Sequence, residues 1–291
     1  MKIKYRDGRT FESPNGQDKL LGKLYGSAAG RILLRPLTSP WVSRCAGWFM
    51  SQKVSCVLIP SFVRKNNIDM SQYEERAFAS YNDFFARRIR EGKRPVDMEK
   101  SHLISPADSK LTVLPISMDG RFTIKHTEYT VSSLLKNTDL ARQYESGQLL
   151  IFRLTVDDYH RYCYMADGVK EDNVFIPGKL HTVNPIANDY FPIYKENARE
   201  YTVLHTEAFG DILIMEVGAL MVGKIKNHHG KAQVRRGQEK GYFEFGGSTV
   251  VALMKKDKVM IDADLICNTH DGYETVVRMG EKIGTCTGYR L

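Results

Sequence analysis

The sequence has no apolar run long enough to cross a bilayer, because no window approaches the roughly 18 uninterrupted apolar residues of a spanning helix. Its start, MKIKYRDGRTFESPNGQDK, is polar and lacks the apolar core of a secretory signal. A soluble or peripherally attached protein is expected. Cysteine is scarce and unpatterned: Cys45, Cys56, Cys163, Cys267 and Cys286 are odd in number, scattered, and contain no CxxC pair. That excludes a disulfide scaffold and a zinc knuckle, and reads as reduced thiols in a cytosolic setting. Also missing are HExxH, a Walker A loop, a GxGxxG after a strand, and a GxSxG elbow. The common zinc-protease, nucleotide-binding and α/β-hydrolase classes go with them. No repeat or low-complexity tract divides the chain.

What is present is an ordinary globular composition, with 42% hydrophobic and 26% charged residues over 291 positions. A chain of this size buries a sizeable core without staples. The formal net charge is +8 and the pI about 9.1. That suits an anionic partner, either nucleic acid or an acidic membrane. No nucleic-acid-binding motif supports the first, so no nucleic-acid partner is expected.

Two textures follow one another. Residues 1–15 read as a hairpin or extended arm turning at Pro14-Asn15-Gly16. Apolar positions from Leu20 to Leu33 then follow helical spacing. Ser39-Pro40 restarts a helix as N-cap and first residue, and its body carries both tryptophans, Trp41 and Trp48. Further helices are expected near Pro60, at SQYEERA from Ser71, and from Ser80 through FFARRIR, where Ser80-x-x-Asp83 resembles a capping box. One or two of these basic, aromatic helices could lie in a membrane interface, with packing on the rest of the chain as the alternative. After Pro95 the segments turn β-branched and aromatic, broken by Gly, Pro, Asn and Asp, as short antiparallel strands are. Ser132–Tyr144 is the main helical interruption. The expected fold class is α+β: a helical N-terminal region, 1–98, packed on a β-rich, barrel- or sandwich-like domain, 99–291.

Three places could carry chemistry. In YFEFGGSTVV, adjacent glycines weaken a strand and mark a bend or close backbone approach. A tight turn is the ordinary reading; attack of the Ser248 hydroxyl on the unguarded Gly247 carbonyl is the functional one. In LTVDDYHRYCY, His160 follows Asp157 and Asp158; in ISPADSKL, Asp108 sits in a turn. Together they are the parts of a triad, which only geometry can make one. Asn227-His228-His229 cannot present both rings to one metal from a strand, since neighbours point to opposite faces. It reads as a basic loop, and no metal site is expected.

In order and spacing, SYNDFFARRIREGKRPVD, SPAD, DYHRY, PGKLHTVNP, VGALMVGKI and RGQEKGYFEFGGSTVV resemble the phosphatidylserine decarboxylase proenzyme family over most of the chain. The resemblance implies self-cleavage between Gly247 and Ser248 into a β chain, 1–247, and an α chain, 248–291, that stay together as a heterodimer. It implies a covalent pyruvoyl (pyruvate) cofactor made from Ser248, with Asp108, His160 and Ser248 as the charge-relay set. The implied activity is decarboxylation of phosphatidylserine to phosphatidylethanolamine and CO2 in phospholipid biosynthesis. The enzyme would work as a peripheral protein on the cytoplasmic face of the cell membrane, with a higher oligomer left open. One departure stands out: some members carry DYHRxH, and this chain has Cys163 at the second histidine. The relay then falls to His160, or to another histidine such as His181. The same chemistry on a soluble amino acid is one alternative; a non-enzymatic basic membrane-binding protein is the other.

Overall fold

The computed structural model describes residues 2–12, 24–124, 126–182, 188, 190–219, 225–244 and 248–288. The strands are β1 (Lys2–Tyr5), β2 (Thr10–Glu12), β3 (His102–Ile104), β4 (Ser109–Pro115), β5 (Arg121–Ile124), β6 (Thr127–Thr130) and β7 (Gln148–Leu154). They continue as β8 (Arg161–Cys163), β9 (Gly168–Lys170), β10 (Val174–Ile176), β11 (Arg199–Thr206), β12 (Gly210–Val217) and β13 (Ile225–Asn227). The last are β14 (Ala232–Val234), β15 (Glu239–Phe243), β16 (Ser248–Met254), β17 (Val259–Ile261), β18 (Glu274–Val277) and β19 (Lys282–Cys286). Helices are α1 (Ala28–Leu37), α2 (Pro40–Met50), α3 (Ile59–Lys65), α4 (Tyr81–Phe85), α5 (Val131–Leu135), α6 (Thr138–Arg142), α7 (Ile193–Glu196) and α8 (Ala263–His270).

One sheet of eleven strands organises the molecule, in the order β14-β9-β11-β12-β16-β7-β4-β18-β1-β2, with β10 added on β11. It is mixed α+β and open, not a closed barrel. Its central strands, QLLIFRL, GDILIMEV and STVVALM, are nearly continuous in apolar residues because both faces are covered. Side chains alternate between the faces. Leu150, Phe152, Leu154, Val250 and Ala252 enter one core, with Tyr162 and Phe243 from the small sheet β13-β15-β8. Leu149, Ile151, Val251 and Leu253 enter the other, under α5, α6 and the β5–β6 hairpin. A third, aromatic cluster around Tyr81, Phe84 and Phe85 ties the helical region together.

Several local expectations change. Ser39 caps α2 as expected, accepting from the Trp41 amide at 3.4 Å. The Ser80 hydroxyl caps α4 by accepting from Asp83 N at 3.2 Å, yet the helix ends at Phe85. The Asp83 carboxylate completes no capping box; it pairs with Arg76 and takes the Ala79 amide. SQYEERA holds no helix beyond the 3-10 turn Met70–Gln72. Tyr73 instead bridges Ile89, so both flanks of α4 are extended. The β1–β2 hairpin turns at residues 6–9; the turn expected at Pro14-Asn15-Gly16 lies outside the described residues. β1 joins the large sheet parallel to β18.

Candidate active site

Ser248 opens β16, with Leu154 of β7 as its neighbour on one side; on the other, Thr249 pairs with Val217 of β12. Counting in twos from Val250 and Ala252, its side chain faces the core that the β8–β15 layer covers. The hydroxyl is fully buried and has no hydrogen-bond partner among the described residues. His160 lies two residues before Tyr162 of that layer, and its carbonyl accepts the Phe243 amide at 3.0 Å. Ser248 follows Phe243 by five residues. His160 and Ser248 thus lie on the same side of the sheet, Ser248 in the strand and His160 in the layer that covers it. Gly247 itself lies outside the described residues.

The His160 ring is buried and packed against Phe85, with ring centres 4.0 Å apart and the planes tilted by 37°. Its Nδ1 lies 3.0 Å from the Asp158 backbone oxygen, which can only accept. Nδ1 therefore carries the proton, and Nε2 presents a lone pair with no partner among the described residues. Burial, reinforced by the Arg87 charge, pushes the ring pKa down to about 3. This is a neutral imidazole of fixed tautomer with a free basic nitrogen.

Asp108 is held elsewhere. Its carboxylate receives Arg94 Nε at 2.9 and 3.0 Å, Arg94 Nη2 at 2.5 Å, and the Met279 amide at 2.9 Å. The expected direct Asp108–His160 contact is replaced by the Asp158 carbonyl. Asp108 joins the segment before β3 to the chain beyond Ser248, and Cys163 N donates to Pro106 O at 2.9 Å, so SPAD and DYHRYC are laced together. Asp158 accepts Lys110 Nζ at 2.7 and 2.8 Å. Burial still raises its pKa, with Lys110 opposing.

The other candidates separate by face. His181 stacks on Phe191 at 4.8 Å and lies beside Tyr25, both residues of the core on the far side from Ser248. Burial lowers its pKa and Glu196, 3.5 Å away, opposes this. Burial pushes the Cys163 thiol up to about 12, so it stays protonated and offers no base. All five cysteines are free. His228 pairs with Glu239 and His229 with Tyr164, and no group of three or more metal-ligating side chains occurs among the described residues. A cavity of about 490 Å³ opens beside Tyr73, Arg94, Asp108, Asp157 and Tyr159, behind the segment that carries His160.

Sequence reasoning missed Arg94, Phe85 and the Asp158 carbonyl. Arg94 and Phe85 sit in SYNDFFARRIREGKRPVD, whose place against His160 no local pattern signals.

The sequence profile of the phosphatidylserine decarboxylase family matches residues 81–285. The chain is 49% identical over 271 residues to "Phosphatidylserine decarboxylase proenzyme 2" of Clostridium acetobutylicum, covering 93% of this chain and 92% of that one. It is 40% identical to the phosphatidylserine decarboxylase proenzyme of Clostridium tetani, over 92% of each chain. With that of Clostridium botulinum strain 657 it shares 37% identity over 92% of this chain and 93% of the relative. An α+β chain with a buried serine and a neutral imidazole on one side of its sheet is thereby an enzyme, a carboxy-lyase. It belongs to the phosphatidylserine decarboxylase family.

Proposed function

We propose that this chain cuts itself at Gly247–Ser248 and, with the pyruvoyl group so formed, decarboxylates phosphatidylserine to phosphatidylethanolamine. The observation that carries the reading is the pair of buried, unpartnered polar atoms, Ser248 Oγ and His160 Nε2, on one side of the sheet. A buried hydroxyl without a partner is costly. In the product Oγ has left with the Gly247 carboxylate and the side chain is a methyl, so no buried hydroxyl donor remains unsatisfied.

In the cleavage step His160 Nε2 takes the Ser248 proton, and Oγ attacks the Gly247 carbonyl carbon. The peptide C–N bond breaks, the proton passes to the departing nitrogen, and an ester links the two chains. Loss of the Ser248 α-proton expels the Gly247 carboxylate and leaves a dehydroalanine. Water then replaces its nitrogen, which leaves as ammonia, giving a pyruvoyl end. The Asp158 carbonyl holds the histidine tautomer throughout. Asp108, assigned to the relay by the resemblance, fits a positioning role through Arg94 and the SPAD–DYHRYC lacing.

The pyruvoyl group supplies a carbonyl for the substrate amine and a sink for the electrons released with CO2. In this reading His160 Nε2, once it has taken up a proton, hands it to the reacting carbon. Such acid–base help is typically worth about 10²–10⁴-fold.

A lipid substrate requires an approach to the bilayer. No helix among the described residues is long and apolar enough to cross a membrane. Instead Trp41, Cys45 and Trp48 line one exposed face of α2, continued by Val54 and Val57. Trp48 is 69% and Val57 75% exposed. The helical part of residues 1–98 is read as a peripheral anchor at the cytoplasmic face, with Lys53 toward the headgroups. The side chains of Arg35 and Arg44, the other cations expected there, lie outside those described.

Intact mass after denaturing electrophoresis is the test. Wild type should separate into two chains and Ser248→Ala should remain whole at 33.2 kDa. An active preparation made only of the whole chain would sink the cleavage reading. Turnover of serine or tryptophan in place of phosphatidylserine would favour the soluble-substrate alternative.

A further inference from the structure

Arg87 is a buried cation that the chemistry above does not use. It is 1% exposed and follows directly on Phe85, which packs against His160, and Ala86, whose carbonyl accepts Arg161 Nε at 2.8 Å. Its Cζ sits 4.2 Å from the centre of the Tyr73 ring and 4.9 Å from that of Phe84.

The guanidinium is poorly satisfied. Nη2 donates to Tyr73 Oη at 3.1 Å, Nη1 reaches the Phe84 carbonyl only at 3.5 Å, and Nε has no partner among the described residues. No carboxylate among the described residues pairs with it. Other buried cations here are treated differently. Lys240 has Glu216, Lys110 has Asp158, Arg94 has Asp108, and Arg153 has Glu274. Arg199, equally buried and also without a carboxylate, donates to four backbone carbonyls at 2.8–3.2 Å. A buried charge without such compensation is strongly unfavourable, so its retention beside the reactive histidine calls for an anion from outside.

Resting on the phosphatidylserine reading, we infer that Arg87 is the anion-binding residue of the substrate pocket and takes the phosphodiester of the lipid headgroup in its unused donors. The headgroup carries two anions, and their fates decide between them. The carboxylate loses its charge as CO2 forms, so an arginine gripping it would stabilise the ground state and slow the reaction. The phosphodiester keeps its charge throughout. A planar guanidinium with spare N–H groups suits its oxygens. Arg87 also lies near enough to reinforce the neutrality of His160.

The experiment compares cleaved wild type with Arg87→Lys and Arg87→Met, using monomeric dihexanoyl-phosphatidylserine as substrate. Competitors are glycerophosphoglycerol, a phosphodiester without amine or carboxylate; glycerate, a carboxylate without phosphate; and inorganic phosphate. Wild type should be inhibited competitively by glycerophosphoglycerol and far less by the other two. Arg87→Met should raise KM on the order of 10- to 100-fold, the worth of a hydrogen bond to a charge, with a smaller change in kcat. Its sensitivity to the phosphodiester should vanish, and Arg87→Lys should fall between. A cleaved Arg87→Met enzyme with unchanged KM and unchanged inhibition overturns the assignment. So does stronger inhibition of wild type by glycerate, or equal inhibition by inorganic phosphate. Should the Met variant not mature, the wild-type inhibition pattern and the Lys variant decide alone. Cleaved wild type that turns over no phosphatidylserine would reject the functional reading itself, whatever Arg87 does.

Discussion

His160 is neutral because it is buried against Phe85 with the Arg87 charge nearby, and that has a measurable consequence. A base is useful in its unprotonated form, and an ordinary imidazole with a pKa near 6.5 is only about 3% unprotonated at pH 5. With its pKa pushed down to about 3, His160 keeps its lone pair across this range. Cleavage of precursor made by cell-free synthesis should therefore hold its rate from pH 8 to pH 5. A fall of tenfold or more between pH 7 and pH 5 would mean that the base is an ordinary histidine. The same depression lowers stability as pH falls from about 6.5 toward 3, since the unfolded chain accepts a proton that the folded one refuses. At this scale the sequence was informative about residue types and silent about partners. Ser248 and His160 stood out by their neighbours in the chain. The group holding His160 is a backbone carbonyl, which every residue possesses, and the cation on Asp108 comes from Arg94, fourteen positions away. Neither leaves a local mark.

Helix α2 shows how an element can satisfy one side and leave the other bare. On its inner side the Gly47 carbonyl accepts Asn82 Nδ2 at 3.2 Å, while Trp41 and Trp48 face outward. Replacing these outer residues disturbs no packed contact, so Trp48→Glu with Val57→Glu should fold and cut itself normally, within about 0.5 kcal/mol per site. Co-sedimentation with phosphatidylserine-containing vesicles should nevertheless drop on the order of tenfold or more, as apolar burial is exchanged for a carboxylate near anionic lipid. Undiminished binding would move the anchor elsewhere on the surface. The helix start at Ser39-Pro40 was readable because capping is local chemistry. The shortness of α4 was not: FFARRIR has good helix formers, but Tyr73 claims Ile89 in a β-bridge and Arg161 claims the Ala86 carbonyl. Tertiary contacts override propensity there. The twofold alternation expected of the strands is likewise hidden in β7, β12 and β16, because both of their faces are buried.

For the molecule as a whole, the decisive fact is where the segment after the cut lies. β16 runs between β12 and β7, and β18 between β4 and β1, all four neighbours belonging to the chain before Ser248. Arg6 adds ion pairs to Asp262, Asp264 and Glu281. Once cut, the two pieces unfold as a pair that must find each other again. The melting temperature of the mature form should rise with protein concentration, while that of uncut Ser248→Ala should not. Differential scanning calorimetry over a hundredfold range of concentration would detect this, and coincident concentration-independent melts would contradict it. The α+β class and the order of the two textures were legible from composition. That β1 closes onto β18 from the opposite end of the chain was not, since nothing in KIKY names its partner.

The central position of β16 also fixes an order of events. In the proposed cleavage, Ser248 can meet His160 only after the strand has been laid between its neighbours and the layer carrying Phe243 has closed over it. On that reading a misfolded copy would keep an inert serine and never gain the reactive ketone. Maturation of this kind would work as proofreading: the fold would be inspected by its own chemistry, once, and each active molecule would bear the cut as its mark of having passed.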